Sequence, residues 1–350
     1  MVMKIIGSMI VSGSICVILC ACSTSRAGKT GTPGSLVQAR ITPDNAAGVV
    51  LLRSFRIPDY QRGDLSQCSL DFSPDGSLLV GACGNNPVPV WNVASGEVQF
   101  SLYQGKPIQI VSCTFSPNGE QIACGGFDNT ISLWNAKSGN KLMELGKHES
   151  PVWEISYSPD GSQLASASLS NDIRLWDVAK GQMVWASQGI RGILSVSYNP
   201  DGTRIAYGTR LGVRAGILQA AKGEMVTEFQ EPKNNVGDVT YNPTGKMLAA
   251  GCDDNKIYLW NADSFKLSGE FSGHKAFVNG LAFNPDGNLL ASGSHDKTVG
   301  IWDVITQKQL VLLPGHEDVV LRVAFNPQGT LLASISWDGT VKLWGILSDQ

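Results

Sequence analysis

Histidine and aspartate are the residues of this chain that could perform acid–base chemistry, and most of them recur at fixed spacings. Three of the four histidines lie 28 positions before a tryptophan, namely His148, His274 and His316. Four aspartates lie six positions before a tryptophan, namely Asp128, Asp254, Asp296 and Asp338. Carboxylate pairs can act as acid and base, but a residue that recurs once per repeat is more simply explained by the repeat. We therefore expect these residues to be structural.

The chain has none of the short motifs that mark common reactive sites. It has no Cys-x-x-Cys, His-Glu-x-x-His or EF-hand string, and no nucleophile elbow, phosphate-binding loop or dinucleotide fingerprint. From this we predict no catalytic residue, no metal site and no cofactor. Residues from separate repeats can still assemble a site that no linear motif records, so an enzyme remains an alternative.

The elements that must position these residues are strands of one recurring type. A short apolar strand ends in tryptophan at Trp91, Trp134, Trp176, Trp260, Trp302 and Trp344. The gaps are 43, 42, 84, 42 and 42 residues, and half of the double gap falls at Leu218. Seven units therefore fill the chain from about residue 57 to its end.

Each unit also contains a Pro-x-Gly turn between two runs of alternating hydrophobicity. The glycines of these turns are Gly76, Gly119, Gly161, Gly202, Gly245, Gly287 and Gly329. Proline fixes φ at the first turn position and glycine accepts a positive φ, so each turn predicts a tight hairpin. Repeats of about 42 residues with several strands each predict propeller blades. We predict an all-β fold, a seven-bladed β-propeller of four-stranded antiparallel blades.

The ends of the chain predict how the ring closes. Only Gly345 to Gln350 follow the last tryptophan, too few for an outer strand. The segment Val49 to Leu52 repeats the pattern of Leu310 to Leu313, the outer strand of the preceding blade. We expect the N-terminal strand to complete the last blade and so to remove two open sheet edges.

These features resemble the WD-repeat (WD40) family across nearly all of the chain after its first 40 residues. Trp-Asp or Trp-Asn dipeptides end at Asn92, Asn135, Asp177, Asn261 and Asp303, and Gly-His pairs occur at His274 and His316. The resemblance implies that Trp91, Trp134, Trp176, Trp260, Trp302 and Trp344 are core residues rather than ligand contacts.

The resemblance also implies buried His-Ser-Asp-Trp hydrogen-bond sets in the last two units. They map onto His274, Ser292, Asp296 and Trp302, and onto His316, Ser334, Asp338 and Trp344. In the third unit Ser170 stands in place of the aspartate. The second and fifth units keep the aspartate but lack the histidine, and the first and fourth are degenerate. These departures predict less rigid first and fourth blades.

Five of the eight cysteines lie in the repeats: Cys68, Cys83, Cys113, Cys124 and Cys252. Three of them occupy positions where the sixth unit has Ser292 or Ser294, which predicts buried thiols that behave as small interior residues. Cys68 and Cys83 lie on neighbouring strands of the first blade. They are the one pair for which we leave a disulfide open.

The first 21 residues read as a targeting segment. Lys4 precedes an apolar run that ends in Leu19-Cys20-Ala21-Cys22, which resembles a bacterial lipoprotein box with Cys22 as the lipid-modified residue. Cys20 is a poorer candidate because Leu19 would then precede the cleaved bond. An uncleaved membrane anchor is the alternative.

Residues 22–40 are rich in Ser, Thr, Gly and Pro and predict a flexible tether from Cys22 to a propeller at 41–350. We expect an exported protein that a lipid holds to a membrane of the cell envelope. Ser23 is typical of outer-membrane targeting if the cell has two membranes. Binding to nucleic acid would require a clustered basic face, and the net charge of −3 gives no sign of one. We therefore predict no nucleic-acid partner.

The prediction of a binding surface rests on one end of the central channel. The family resemblance implies that the residue before each turn aspartate and the first inner-strand positions face that end. The predicted binding face comprises Phe127, Trp153, Phe277, His295 and Trp337, with Leu169, Asp253, Val319 and Leu321 at matching positions. Some of these rings could instead pack between blades. Trp185 lies on an outer strand and could contact lipid, although local packing is the simpler expectation.

Exposed aromatic residues are typical of binding hot spots, so we predict a non-catalytic platform for an unidentified protein or peptide. Two alternatives remain open. One is an envelope-assembly propeller that assists outer-membrane protein folding. The other is a propeller that acts as an enzyme or binds carbohydrate.

Overall fold

The computed structural model describes residues 39–60, 67–84, 87–103, 108–169, 172–187, 189–210 and 214–347. The predicted signal peptide, the lipidation site Cys22 and nearly all of the tether lie outside these residues. Within them, no helix has the length and apolar character needed to cross a membrane. The one helical element among the described residues is a single 3-10 turn, Ala46–Gly48.

Seven four-stranded antiparallel sheets form the blades of a ring, which confirms the predicted seven-bladed propeller. The inner strands of blades 1 to 7 are Cys68–Phe72, Ile110–Phe115, Val152–Tyr157, Ile193–Tyr198, Val236–Tyr241, Val278–Phe283 and Val320–Phe325. The second strands are Leu78–Cys83, Gln121–Gly126, Gln163–Ser168, Arg204–Thr209, Met247–Cys252, Leu289–Ser294 and Leu331–Ser336. The third strands are Val88–Asn92, Thr130–Asn135, Asp172–Asp177, Ala215–Gln219, Lys256–Asn261, Val299–Asp303 and Thr340–Gly345. The outer strands are Val98–Leu102, Lys141–Lys147, Gln182–Ala186, Met225–Glu228, Leu267–Ser272, Lys308–Leu313 and, for blade 7, Val50–Arg56.

The alternation of strand directions gives the ring two distinct ends. Turns that join first to second and third to fourth strands lie at one end, which we call the turn end. Loops that join second to third strands, and outer strands to the next blade, lie at the other, which we call the mouth end. At the turn end, Gly119 and Gly161 have φ of 72°, and each lies against the turn proline of the preceding blade. The Pro-x-Gly turns thus pack on one another around the ring.

The N-terminal strand closes the ring, as the sequence predicts, but it is longer than Val49 to Leu52. It runs over Val50–Arg56 and pairs antiparallel with Thr340–Gly345 of blade 7. It also contacts blade 1, because the Phe55 ring stacks on Trp91 at 5.8 Å and the Arg53 guanidinium donates to the Ala94 carbonyl at 2.9 Å. The closing strand therefore joins the last blade to the first.

Hydrogen-bond sets of one geometry fix the third strands of blades 6 and 7. In blade 7 Trp344 Nε1 donates to Ser334 Oγ at 2.8 Å, Ser334 Oγ bonds His316 Nε2 at 2.7 Å, and His316 Nδ1 bonds Asp338 at 2.8 Å. The corresponding distances in blade 6, from Trp302 through Ser292 and His274 to Asp296, are 2.7, 2.7 and 2.9 Å. Every polar atom of these buried side chains has a partner, which is the condition for a stable buried polar network.

Blade 3 has the same set, but its aspartate is not where the repeat spacing placed it. His148 Nε2 bonds Ser166 Oγ at 2.7 Å, and His148 Nδ1 bonds Asp172 Oδ1 at 3.0 Å. The expectation that Ser170 stands in for the aspartate was wrong, because a carboxylate two residues later reaches the imidazole. Ser170 itself lies outside the described residues.

The weaker repeats fill their cores by other means. In blade 4 Leu218 is buried at the missing tryptophan, and the fully buried Tyr207 ring lies where a Cβ on Gly216 would clash. In blade 5 Asp254 accepts a hydrogen bond from Tyr258 Oη at 2.8 Å instead of from a histidine. Blade 4 therefore has a packed core although it lacks the tryptophan of the repeat.

Four of the five repeat cysteines form disulfides. The disulfide that the sequence left open for Cys68 and Cys83 is present, whereas the prediction of buried free thiols was wrong for Cys113 and Cys124. Cys68 pairs with Cys83 and Cys113 with Cys124, each between directly opposed residues of an inner and a second strand. Cys252 is a buried free thiol, as predicted. Because Cys124 replaces the serine of the hydrogen-bond set, Trp134 Nε1 has no hydrogen-bond partner among the described residues.

Candidate functional site

The candidate site is a cavity of ≈ 430 Å³ at the mouth end of the central channel. Its wall contains Trp153, Leu169, Leu194, Phe277, His295, Leu321 and Trp337, together with the polar Gln67, Arg210, Asn235, Asp253 and Asn279. Concave sites of this size, mostly apolar with a few polar groups, are typical of ligand and peptide recognition.

One backbone hydrogen bond in each of five blades positions the loops that form the rim. The amides of Arg210, Asp253, His295 and Trp337 each donate to a carbonyl just before or at the start of the inner strand of the same blade, at 2.8 to 3.1 Å. Phe127 is held in the same way by Gln109 at 2.9 Å. The rim side chains are therefore presented by rigid sheets rather than by free loops.

Bulges in the inner strands supply the next layer. The pairing register shifts across one residue near the start of six inner strands, at Val111, Trp153, Leu194, Gly237, Asn279 and Leu321. A bulge adds an unpaired residue and re-aims its side chain. Four of these bulged residues line the cavity. The local backbone irregularity thus shapes the site.

The five residues of the predicted binding face are close together but not equally accessible. The His295 ring lies between Phe277 at 5.1 Å and Trp337 at 5.8 Å, and these three residues are half-buried. Trp153 lines the cavity but is only 7% exposed, so the expectation of an exposed indole was wrong for it. Phe127 packs against Trp153 at 5.8 Å and is not part of the cavity wall.

Histidine 295 contributes an uncharged ring at neutral pH. Burial lowers its pKa, and the nearby Asp318 carboxylate only partly opposes the effect. Charge at the rim comes instead from Arg210 and Asp253, which are exposed on neighbouring blades. Asn235 Nδ2 orients Asp253 through a 2.6 Å hydrogen bond. The mouth therefore combines an aromatic wall with one cation and one anion at its edge.

A buried ion network forms the floor of the cavity. The residues after the six bulges are Ser112, Glu154, Ser195, Asp238, Gly280 and Arg322, and Ser69 holds the same repeat position in blade 1, whose inner strand has no bulge. Most of the small polar members bond the next blade, as Ser195 Oγ does with the Val239 amide at 3.0 Å. Arg322 instead crosses the channel to Glu154 and lies 3.4 Å from Asp238.

The network contains two carboxyl groups, those of Glu154 and Asp238, and one guanidinium, that of Arg322. Burial raises the pKa of Glu154 to about 8, although the Arg322 guanidinium lowers it, and burial likewise raises the pKa of Asp238. Arg322 Nη1 also donates to the Asn279 carbonyl at 3.0 Å, directly beneath the cavity. One arginine thus holds the floor of the mouth in place.

Seven of the residues that the sequence placed at this end line the cavity, whereas the sequence analysis did not name five others, namely Gln67, Leu194, Arg210, Asn235 and Asn279. Arg210 was visible in principle, because it occupies in the fourth unit the place of His295 in the sixth. Leu194 and Asn279 are bulged residues, which repeat spacing does not reveal. Gln67 and Asn235 lie just before the inner strands of blades 1 and 5. Trp185 packs locally: its indole donates to the Ala220 carbonyl at 2.9 Å.

Comparison with known proteins bears on the fold. The profile of the repeat family described as WD domain, G-beta repeat matches residues 98–135, 139–177, 223–261, 265–303 and 307–345, more than half of the chain. No protein with curated annotation matches the chain. The profile passes over the first and fourth units, which the sequence shows to be degenerate and the structure folds as full blades. The chain belongs to the WD40 repeat family.

Proposed function

We propose that this protein is a non-catalytic scaffold that binds another protein or a peptide at the mouth of its ring. The observation that carries the proposal is the aromatic cavity, in whose wall the rings of Phe277, His295 and Trp337 pack against one another at tilted angles. WD40 propellers are typically interaction platforms, and partly exposed aromatic side chains in a cavity are the usual anchors of such interfaces.

We assign no reaction to the mouth. Three of the four histidines lie inside blades with both ring nitrogens hydrogen bonded, which leaves His295 as the one histidine at the cavity. Its neighbours there are aromatic rings rather than a nucleophile. Recognition is therefore the chemistry that this geometry supports best.

We further propose that a lipid on Cys22 attaches the protein to a membrane of the cell envelope. The support is the sequence Leu19-Cys20-Ala21-Cys22 after an apolar segment, followed by a tether rich in small and polar residues. Two acyl chains are enough for stable attachment. Mass spectrometry of the mature N-terminus tests this point, since an unmodified Cys22 or an intact leader refutes it.

Partner binding is tested by cross-linking in the detergent-solubilised envelope of the producing cell. A double variant, Phe277→Ala with Trp337→Ala, removes two walls of the cavity, whereas Ile305→Ala removes an apolar side chain that is 79% exposed at the other end of the ring. We expect the double variant to lose a discrete cross-linked product that both wild type and Ile305→Ala retain. Equal cross-linking in all three, with the double variant still folded, refutes the mouth as the binding site.

A further inference from the structure

Among the described residues, the large apolar side chains that are exposed lie at one end of the ring. The large apolar residues that the structure describes as exposed are Val50, Leu51, Val98, Leu142, Met183, Val184, Met225, Val226, Leu267, Ile305 and Leu347. Nine of them lie within the first three residues of an outer strand, and the other two lie next to the end of a third strand. All eleven are therefore at the turn end, opposite the candidate mouth. We call them the apolar belt.

The belt follows the repeat and is not a scatter of single residues. Five of its members lie opposite the residue at the conserved tryptophan position of the third strand, in the pairs Leu51–Trp344, Val98–Trp91, Met183–Trp176, Met225–Leu218 and Leu267–Trp260. Blade 2 places Leu142 one residue further along. Six of the seven blades thus present an exposed apolar side chain at nearly the same level along the axis of the ring.

Packing between blades does not account for the belt. The outer-strand side chains that contact the next blade are its neighbours, such as Phe100 against Gly139, Met143 against Gly181 and Trp185 against Gly223. Met183 and Leu142 remain 50% and 48% exposed. Apolar surface kept in register around one end of a ring indicates an apolar contact outside the ring.

The chain also joins the ring at this end. Ala39 bridges to Ile346, just after the third strand of blade 7, and the Ile41 amide donates to the Gly329 carbonyl at 2.8 Å. Arg40 pairs with Asp286 in the turn of blade 6 at 2.8 Å. The part of the chain that the structure describes therefore begins at the turn end and not at the mouth.

We propose that the apolar belt contacts the surface of a lipid bilayer, so that the mouth faces away from the membrane. This proposal rests on the lipid attachment proposed above, because that attachment brings a membrane to the end of the ring where the tether begins. Side chains such as Met225 and Leu267 enter the boundary between headgroups and acyl chains. Long lysine side chains in the neighbouring turns reach the headgroups, and these are Lys137, Lys180, Lys222, Lys266 and Lys308.

The charges at the turn end predict a contact that is mainly apolar. The turns that carry lysines also carry acids, among them Asp177, Glu224 and Asp263. Attraction to anionic lipid is therefore largely balanced. We expect the contact to persist in high salt, unlike the binding of a basic protein face to an anionic membrane.

The test places a photo-reactive amino acid at Met225 in the belt, or at His295 in the mouth, of the full-length chain. Each protein is reconstituted in vesicles of phosphatidylethanolamine and phosphatidylglycerol and then irradiated. We expect adducts with phospholipid at Met225 and none at His295. Adducts of equal frequency at both positions, no lipid adduct at Met225, or a cross-link from Met225 to a second copy of the chain would each overturn the proposal.

A variant with Met183→Ser, Met225→Ser and Leu267→Ser tests the energetic role of the belt. In a Cys22→Ser background, we expect the triple variant to reduce partition of the chain into these vesicles about tenfold or more, because three apolar side chains are lost from the interface. Unchanged partition, with the melting transition retained, contradicts the proposal.

These experiments distinguish failure of the proposed membrane contact of the apolar belt from failure of the proposed lipid attachment at Cys22. If wild type carries the lipid on Cys22 but shows no adduct at Met225, the belt is refuted and the attachment stands. If Cys22 is unmodified, the attachment is refuted. In that case the adducts in the Cys22→Ser chain still decide whether the belt contacts lipid.

Discussion

Replacement of Phe55 by alanine tests whether the closing strand holds the ring together. Phe55 is 6% exposed, and its ring stacks on Trp91 of blade 1 while its backbone pairs with blade 7. Loss of a buried phenylalanine costs about 3–5 kcal/mol. Phe55 packs in one cluster with Val341 and Leu343 of blade 7 and Trp91 of blade 1, and its strand is not linked by consecutive chain to its pairing partner Thr340–Gly345. We therefore expect the loss to open blade 7 between these two strands before the rest unfolds.

Phe271→Ala provides the matched control. Phe271 is 2% exposed on the outer strand of blade 5 and packs on Trp302 of blade 6 at 5.5 Å, in the same relation as Phe55 to Trp91. Equilibrium denaturation should show similar losses of free energy for the two variants. Amide hydrogen exchange should differ, with faster exchange of Val50–Arg56 and Thr340–Gly345 in Phe55→Ala alone. Equal protection of these strands in both variants would refute the reasoning.

Three further predictions concern buried polar groups. Ser334→Ala leaves Trp344 Nε1 and His316 Nε2 buried without their shared partner, so we expect a loss of about 2–5 kcal/mol in chemical denaturation, and a loss below 1 kcal/mol would contradict the role of the set. Burial raises the pKa of Asp71 to about 6, so the folded protein holds the proton of this carboxyl more tightly than the unfolded chain does. The folded state therefore loses stability as pH rises from about 4 to 6. Relative to Asp71→Asn, the wild type should lose about 1–3 kcal/mol of unfolding free energy over that range, and parallel pH profiles of the two proteins would disprove the prediction. Arg322→Met leaves the buried Glu154 and Asp238 carboxyl groups without their cation and should cost about 3–5 kcal/mol in thermal melts at pH 8. The cost should be smaller at pH 5, because burial raises the pKa of Glu154 to about 8 and this carboxyl then holds a proton; a loss independent of pH would argue against the network.

The architecture could be predicted from sequence because most of the blades repeat the same short sequence motifs. Tryptophans at intervals near 42 residues and Pro-x-Gly turns in phase with them set the number of blades and the strand order. The likeness of Val49 to Leu52 to an outer strand was enough to place the closing strand. Its extension to Arg56 was missed, because its partner in blade 7 lies near the other end of the chain.

Features that depend on curvature or on side-chain reach were not predictable in the same way. Asp172 takes the role of the aspartate whose repeat position holds Ser170, because what matters is the distance from carboxylate to imidazole and not the residue count. Glu154 and Arg322 are 168 residues apart and meet only because the ring closes. The pair Cys113–Cys124 depends on strand register, which the spacing of the turns fixes only after the strand ends are known.

Ring closure by Val50–Arg56 has a consequence for biosynthesis. The ribosome makes this strand among the first of the ring and its partner, Thr340–Gly345, among the last. The final blade therefore cannot form until almost the whole polypeptide has been made, and this long-range pairing is the kind that folds slowly. A prematurely terminated chain would keep unpaired sheet edges at both its ends, and such edges promote aggregation and mark incomplete molecules for proteolysis.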